Sequence, residues 1–140
     1  MWVTPGAYEE LRRCPLVGKE HEMKRILICE DEQDAQKSLR NLLGKRDYEV
    51  YSAEDGKESI ELAKQIVPDL VLLDIRMPKV DGLEVAREIR KFNTQAKIVF
   101  ITAFQSSELS KEAAKYDIVS YLVKPILSKD ILEVVEQALK

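Results

Sequence analysis

Leu70-Val71-Leu72-Leu73-Asp74, running on into Ile75-Arg76-Met77-Pro78-Lys79-Val80-Asp81-Gly82, is the stretch that decides the fold. A run of large apolar residues bounded by turn residues reads as a strand buried on both faces, the kind found in parallel sheets. Asp74 then stands at the carboxyl end of that strand, the edge of an open α/β sheet where ligands bind. A second apolar run, Ile26-Leu27-Ile28-Cys29, also ends in acid, at Glu30-Asp31-Glu32. Two strands delivering carboxylates to one edge make a site for a hard divalent cation.

Outward from that pair, strands and helices alternate. Strands are expected near residues 25–29, 49–52, 70–73, 97–102 and 119–122. Helices are expected near 33–45, 56–66, 82–92, 106–115 and 128–139. Apolar residues at helical spacing mark the inward faces: Ala35, Leu39, Leu42 and Leu43; Ser59, Leu62, Ala63 and Ile66; Val85, Ile89 and Phe92; Leu109, Ala113 and Tyr116; Leu132, Val135 and Leu139. Pro68 blocks continuation of the second helix, and Ser128 is the expected N-cap of the last. Five βα units in succession imply a parallel sheet with right-handed crossovers.

Residues 1–23 differ in character, with Pro5, Gly6 and Pro15 and no clear periodicity. They read as an extension ahead of a folded unit at 24–140: a cloning remnant, an upstream start or a short partner-binding arm. His21 lies within it, and nothing around it resembles a phosphorylated kinase helix. The chain has 140 residues, 45% hydrophobic and 34% charged, which suits one domain with a full core. A net charge of −3 argues against direct binding of nucleic acid. No apolar run approaches the roughly 18 residues of a membrane span, and no signal-peptide core opens the chain, so a cytoplasmic protein is expected. Two cysteines, Cys14 and Cys29, make neither a disulfide framework nor a metal motif; Cys29 is expected to serve packing.

Four strand ends therefore carry polar groups suited to phosphate chemistry: Glu30-Asp31, Asp74, Thr102-Ala103 and Lys124-Pro125. Singly, each has a plainer reading. The acidic pair would suit a helix start, Thr102 a strand-end hydroxyl, and Lys124 a solvated charge. Together and in this order, with Asp-x-x-Met-Pro-x-x-Asp-Gly at 74–82, they resemble the receiver domain of two-component response regulators over residues 23–140.

The resemblance implies a flavodoxin-like (βα)5 fold with strand order 2-1-3-4-5. It implies that Asp74 is the phosphoacceptor, taking its phosphoryl group from a sensor histidine kinase or phosphotransfer protein. Asp31, Asp74 and the backbone carbonyl of Arg76 would hold Mg2+, with Glu30 bound directly or through water. Thr102 and Lys124 would meet phosphoryl oxygens, and Lys124-Pro125 would be cis. Thr102 and Tyr121 would act as the switch, although Tyr121 reads equally well as sheet packing. A downstream protein would be met through the face of helix four, strand five and helix five. The chain is not expected to be an enzyme in its own right. Its last helix ends the sequence, so it would act through a partner or be part of a longer regulator. The need for a cation is physical: two carboxylates about 4 Å apart near a surface repel by roughly 4 kcal/mol.

Departures from the family pattern are also legible. Glu30 replaces the commoner Asp. Arg76 sits two residues past Asp74, where its cation would pair with Glu30 or Asp74 without metal. Phe104, two residues past Thr102, would shield the phosphoryl group from water. No glycine precedes strand five in Asp117-Ile118-Val119-Ser120. Three other classes share parts of the pattern. A Mg2+-dependent aspartyl-phosphate phosphatase would place a second Asp where Arg76 stands. A flavodoxin-type electron carrier would need a phosphate-cradling loop where Glu30-Asp31-Glu32 would repel one. A pseudo-receiver would lack Asp74, Thr102 or Lys124.

Overall fold

The computed structural model describes residues 23–77, 80–103 and 106–140. The expectations for the extension, including His21 and Cys14, and for Pro78, Lys79 and Phe104 fall outside the described residues. Five strands and five helices alternate: β1 (Arg25–Cys29), α1 (Gln33–Gly44), β2 (Glu49–Ala53), α2 (Gly56–Ile66), β3 (Leu70–Asp74), α3 (Gly82–Phe92), β4 (Lys97–Thr102), α4 (Ser107–Ala114), β5 (Ile118–Val123) and α5 (Ser128–Ala138). The strands form one parallel sheet in the order β2-β1-β3-β4-β5, the flavodoxin-like topology that the resemblance implies. The order reverses between β1 and β3, so their carboxyl ends flank the crevice where doubly wound sheets bind ligands. Among the described residues, no helix is long and apolar enough to cross a membrane.

Strict alternation along the central strands builds two cores, one on each face of the sheet. Leu27, Cys29, Val71, Leu73, Ile98 and Phe100 pack against Ala63, Ile66, Val85, Ala86 and Ile89, beneath α2 and α3. Ile26, Ile28, Leu70, Leu72, Val99 and Ile101 pack against Leu39, Leu43, Ile131 and Val135 of α1 and α5. Every residue of β1 and β3 is buried, which explains why both read as continuous apolar runs rather than as half-polar strands.

The amino end of the sheet is closed by charge pairing. Arg25 is 3% exposed; its Nε donates to Glu49 Oε2 at 3.2 Å, its Nη1 to the carbonyl of Ile66 at 2.8 Å, and its backbone N–H to Asp69 Oδ2 at 2.9 Å. On the same side, Arg90 gathers the carbonyls of Tyr116 (2.7 Å), Ala96 (2.7 Å), Asn93 (3.2 Å) and Asp117 (3.3 Å). This fan of bonds ties the start of β4 to the turn before β5. In that turn, Asp117 adopts φ 55°. The aspartate takes the left-handed conformation for which a glycine would be the easier choice.

Four expectations need correction. Phe92 does not close the inward stripe of α3: it is 41% exposed, and Ala86 is buried instead. The stripe of Val85, Ala86 and Ile89 has rotated past Phe92 by the last turn, where Lys64 Nζ lies 5.7 Å from its ring centroid. Ser128 is not the N-cap of α5 but its first residue. Leu127 holds the cap position, with no side-chain bond to the helix. In α1, Gln36 is buried while Ala35 is half-buried, and in α5 Ile131 is buried while Leu132 is half-buried. The other helix and strand limits agree with expectation to within a residue or two.

Candidate metal and phosphoryl site

The carboxyl ends of β1, β3, β4 and β5 meet at one edge. Hydrogen bonds between neighbouring strand ends hold them level: Ile75 N–H donates to the Ile101 carbonyl at 3.0 Å, and Lys124 N–H to the Thr102 carbonyl at 2.8 Å. The chain then turns from β3 into α3 so closely that only glycine fits. A Cβ on Gly82 would stand 2.6 Å from the Asp74 carbonyl oxygen and 2.7 Å from Ile75 Cα. Asp81, the N-cap of α3, accepts from Glu84 N–H at 2.9 Å, which fixes where the loop rejoins the helix. Gly56 plays a similar part at the start of α2, where a Cβ would lie 2.3 Å from the Val80 carbonyl oxygen.

Glu30, Asp31 and Asp74 each bring a carboxylate oxygen within 4.8 Å of the others. Asp31 is exposed, whereas Glu30 is 1% and Asp74 4% exposed. Asp74 is held at both oxygens, Oδ1 accepting from Arg76 N–H at 2.9 Å and Oδ2 from Lys124 Nζ at 2.8 Å. Lys124 Nζ also lies 3.4 Å from Glu30 Oε1, and Glu30 Oε2 accepts from Glu32 N–H at 3.4 Å. The ammonium thus bridges both buried carboxylates. The Lys124-Pro125 peptide is cis, as the resemblance implies.

Burying one carboxylate beside another has an electrostatic consequence. Burial, then the hydrogen bond and negative charge of Asp74, push the Glu30 carboxyl up from its ordinary 4.5 to about 7. Burial works to lower the pKa of Lys124, but the hydrogen bond and charge of Asp74 and the charge of Glu30 outweigh it, so the net shift is upward. An all-oxygen set of three carboxylates is chemically suited to a hard dication.

Asp31, Asp74, Arg76, Thr102 and Lys124 line one open pocket above the sheet, together with Ser106 and Leu109. The residues read from the sequence as a site are therefore brought together, Thr102 buried at the end of β4 and Arg76 exposed at the rim. Tyr121 lies apart from them, half-buried on β5, with its ring centroid 6.1 Å from that of Phe100. Cys29 is fully buried, and burial pushes its thiol up to about 12, the state of a packing residue rather than of a nucleophile. Gln36 is the residue that sequence reasoning missed. Its amide donates to the carbonyls of Glu30 at 3.0 Å and Ala53 at 3.2 Å, and the signal that locates it is its position three and seven residues before Leu39 and Leu43 on the buried stripe of α1.

The family model of the response regulator receiver domain matches residues 26–136. The chain is 39% identical over 116 residues to the transcriptional regulatory protein PdtaR of Mycobacterium tuberculosis, covering 82% of this chain but only 56% of that protein. It is 37% identical over 119 residues to the chemotaxis protein CheY of Treponema pallidum, covering 83% of each. The solved structure of response regulator TrrA from Thermotoga maritima, in complex with Mg2+-BeF, superposes with a TM-score of 0.74 at 38% identity, covering 84% of this chain and all of that one.

Proposed function

This chain belongs to the response regulator receiver domain family, and from that premise we propose that Asp74 accepts a phosphoryl group from a phosphohistidine of a sensor histidine kinase or phosphotransfer protein. The observation that carries the reading is Asp74 itself: a buried carboxylate at a strand end, beside two further carboxylates and bonded to Lys124 at 2.8 Å. One Asp74 oxygen attacks phosphorus, the P–N bond of the donor breaks with its electron pair returning to the imidazole, and an acyl phosphate forms. Lys124, already poised on Oδ2, meets a phosphoryl oxygen as a point charge, and the Thr102 hydroxyl donates to another.

Glu30, Asp31, Asp74 and the backbone carbonyl of Arg76 would hold Mg2+. When bound, the metal would supply positive charge beside the clustered carboxylates and the transferring group. The hard donor set supports magnesium, as does the Mg2+-BeF complex of the similar TrrA. The chain acts as a cytoplasmic phosphoacceptor rather than an enzyme with its own substrate. Thr102 and Tyr121 relay the charge change to the surface of α4, β5 and α5, where a downstream protein reads it as a shift between two states.

Incubation with acetyl phosphate and Mg2+ tests the reading. The wild-type chain should gain one base-labile phosphoryl group by mass, and Asp74→Asn should gain none. The same adduct on the variant would move the acceptor elsewhere.

A further inference from the structure

Asp31 is the exposed member of the carboxylate cluster, yet the residues on either side of it are both tied to a single residue of α1, one through its side chain and one through its backbone. Gln36, in the first turn of α1 and 9% exposed, accounts for both ties. Its side-chain amide donates to the carbonyl of Glu30 at 3.0 Å, and its backbone N–H donates to the carbonyl of Glu32 at 3.0 Å. The same amide nitrogen donates to the Ala53 carbonyl at 3.2 Å, which also accepts the backbone N–H of Glu30 at 3.1 Å. The loop at 30–32 is thereby fastened to the end of β2 on one side and to α1 on the other.

Like charges push this loop outward, away from Asp74, and Lys124 bridges only Glu30 and Asp74. Loss of the amide would leave the buried Glu30 carbonyl without this partner and Ala53 with one donor fewer, and such groups turn toward water when they can. Resting on the receiver reading above, we propose that Gln36 is a positioning residue that holds Asp31 and Glu30 in their metal-receiving arrangement before any metal arrives. It touches neither metal nor phosphoryl group. Its contribution is to the affinity for Mg2+ rather than to the chemistry once Mg2+ is bound, as for outer-shell partners generally.

The test compares wild type with Gln36→Met, which keeps the volume and removes both amide N–H groups. Calorimetric titration with Mg2+ should show affinity reduced about tenfold or more. Labelling by acetyl phosphate should require correspondingly more Mg2+ for half-maximal rate, yet reach a rate within about twofold of wild type at saturation. A merely structural residue would lower the melting temperature and leave Mg2+ affinity unchanged, and that outcome overturns the proposal. If Gln36→Met fails to fold, amide hydrogen exchange on the wild type decides. Protection of the Glu30 N–H should be the same with and without Mg2+; protection that appears only on adding Mg2+ overturns the proposal. Failure of the wild type to bind Mg2+ overturns the receiver reading itself, and Gln36 with it.

Discussion

Lys124 Nζ lies 2.8 Å from Asp74 Oδ2, joining residues fifty positions apart at the edge of the sheet. This ion pair stands in for the missing positive charge when no metal is bound. Lys124→Met should therefore lower stability at pH 7.5 in a chelator by about 1–3 kcal/mol, since it leaves buried carboxylates unpaired. Urea unfolding measures this, and millimolar Mg2+ should recover most of the loss. Equal losses with and without Mg2+ would assign Lys124 a packing role.

The raised Glu30 carboxyl makes the metal-free domain sensitive to pH. A group whose pKa is higher folded than unfolded binds its proton more tightly in the folded state. Its stabilising contribution is full below the unfolded value of 4.5 and is lost as pH rises through about 7. In chelator, that segment of the stability profile should fall with rising pH, by about 3 kcal/mol at most. Glu30→Gln, uncharged throughout, should flatten it, and an unchanged slope in that variant would place the titration on another group.

Asp31→Ala removes the exposed ligand without disturbing the core. Mg2+ affinity should fall at least about tenfold, the loss typical even of outer-shell partners, and phosphorylation should weaken with it. Calorimetric titration is the direct check, and an affinity equal to wild type would put the metal elsewhere.

Arg76 lies at the rim of the pocket, where it would border the path of the water that hydrolyses an aspartyl phosphate. A guanidinium fork beside the phosphoryl oxygens occupies space without orienting a nucleophile. Arg76→Asn should speed loss of the phosphoryl group by more than about twofold, or roughly 0.4 kcal/mol of barrier. The decay of phosphorylated protein in Mg2+ measures it, and a smaller change would remove Arg76 from control of hydrolysis.

Gly56→Ala should destabilise the domain by about 1–3 kcal/mol, because the new methyl meets backbone rather than a yielding side chain. Helix propensity alone favours alanine by roughly 0.5–1 kcal/mol, so the sign separates the two effects. Chemical denaturation gives the answer, and a net gain in stability would show that the loop at Val80 moves aside freely.

Much of this site was legible in the sequence because strand ends are. Apolar runs that stop at an acid, a hydroxyl or an ammonium mark both the strand and its edge; Glu30, Asp31, Asp74, Thr102 and Lys124 each have a plainer reading alone, and their order along the chain is what singles them out. Gln36 was not legible in this way, because a polar residue among the charged positions of a first turn passes for solvated. Only its phase with Leu39 and Leu43 gives it away. Phe92 misled in the opposite sense: a large apolar residue at helical spacing was assigned to the core, but it stands at the last position of α3, where the buried stripe has already turned away. The cap of α5 was misplaced for a related reason. Ser128 has the chemistry of a cap, but helix geometry begins one residue earlier than hydroxyl preference suggests.

The direction of β1 has a practical consequence. The strand enters at Arg25, within the charge-paired end, and leaves beside Glu30, so one extended strand of about 17 Å separates its entrance from the cation cage. A fluorophore, affinity handle or surface tether placed at Met23 itself, which is exposed, stands at the pole opposite Asp74, away from the edge that a phosphodonor must approach.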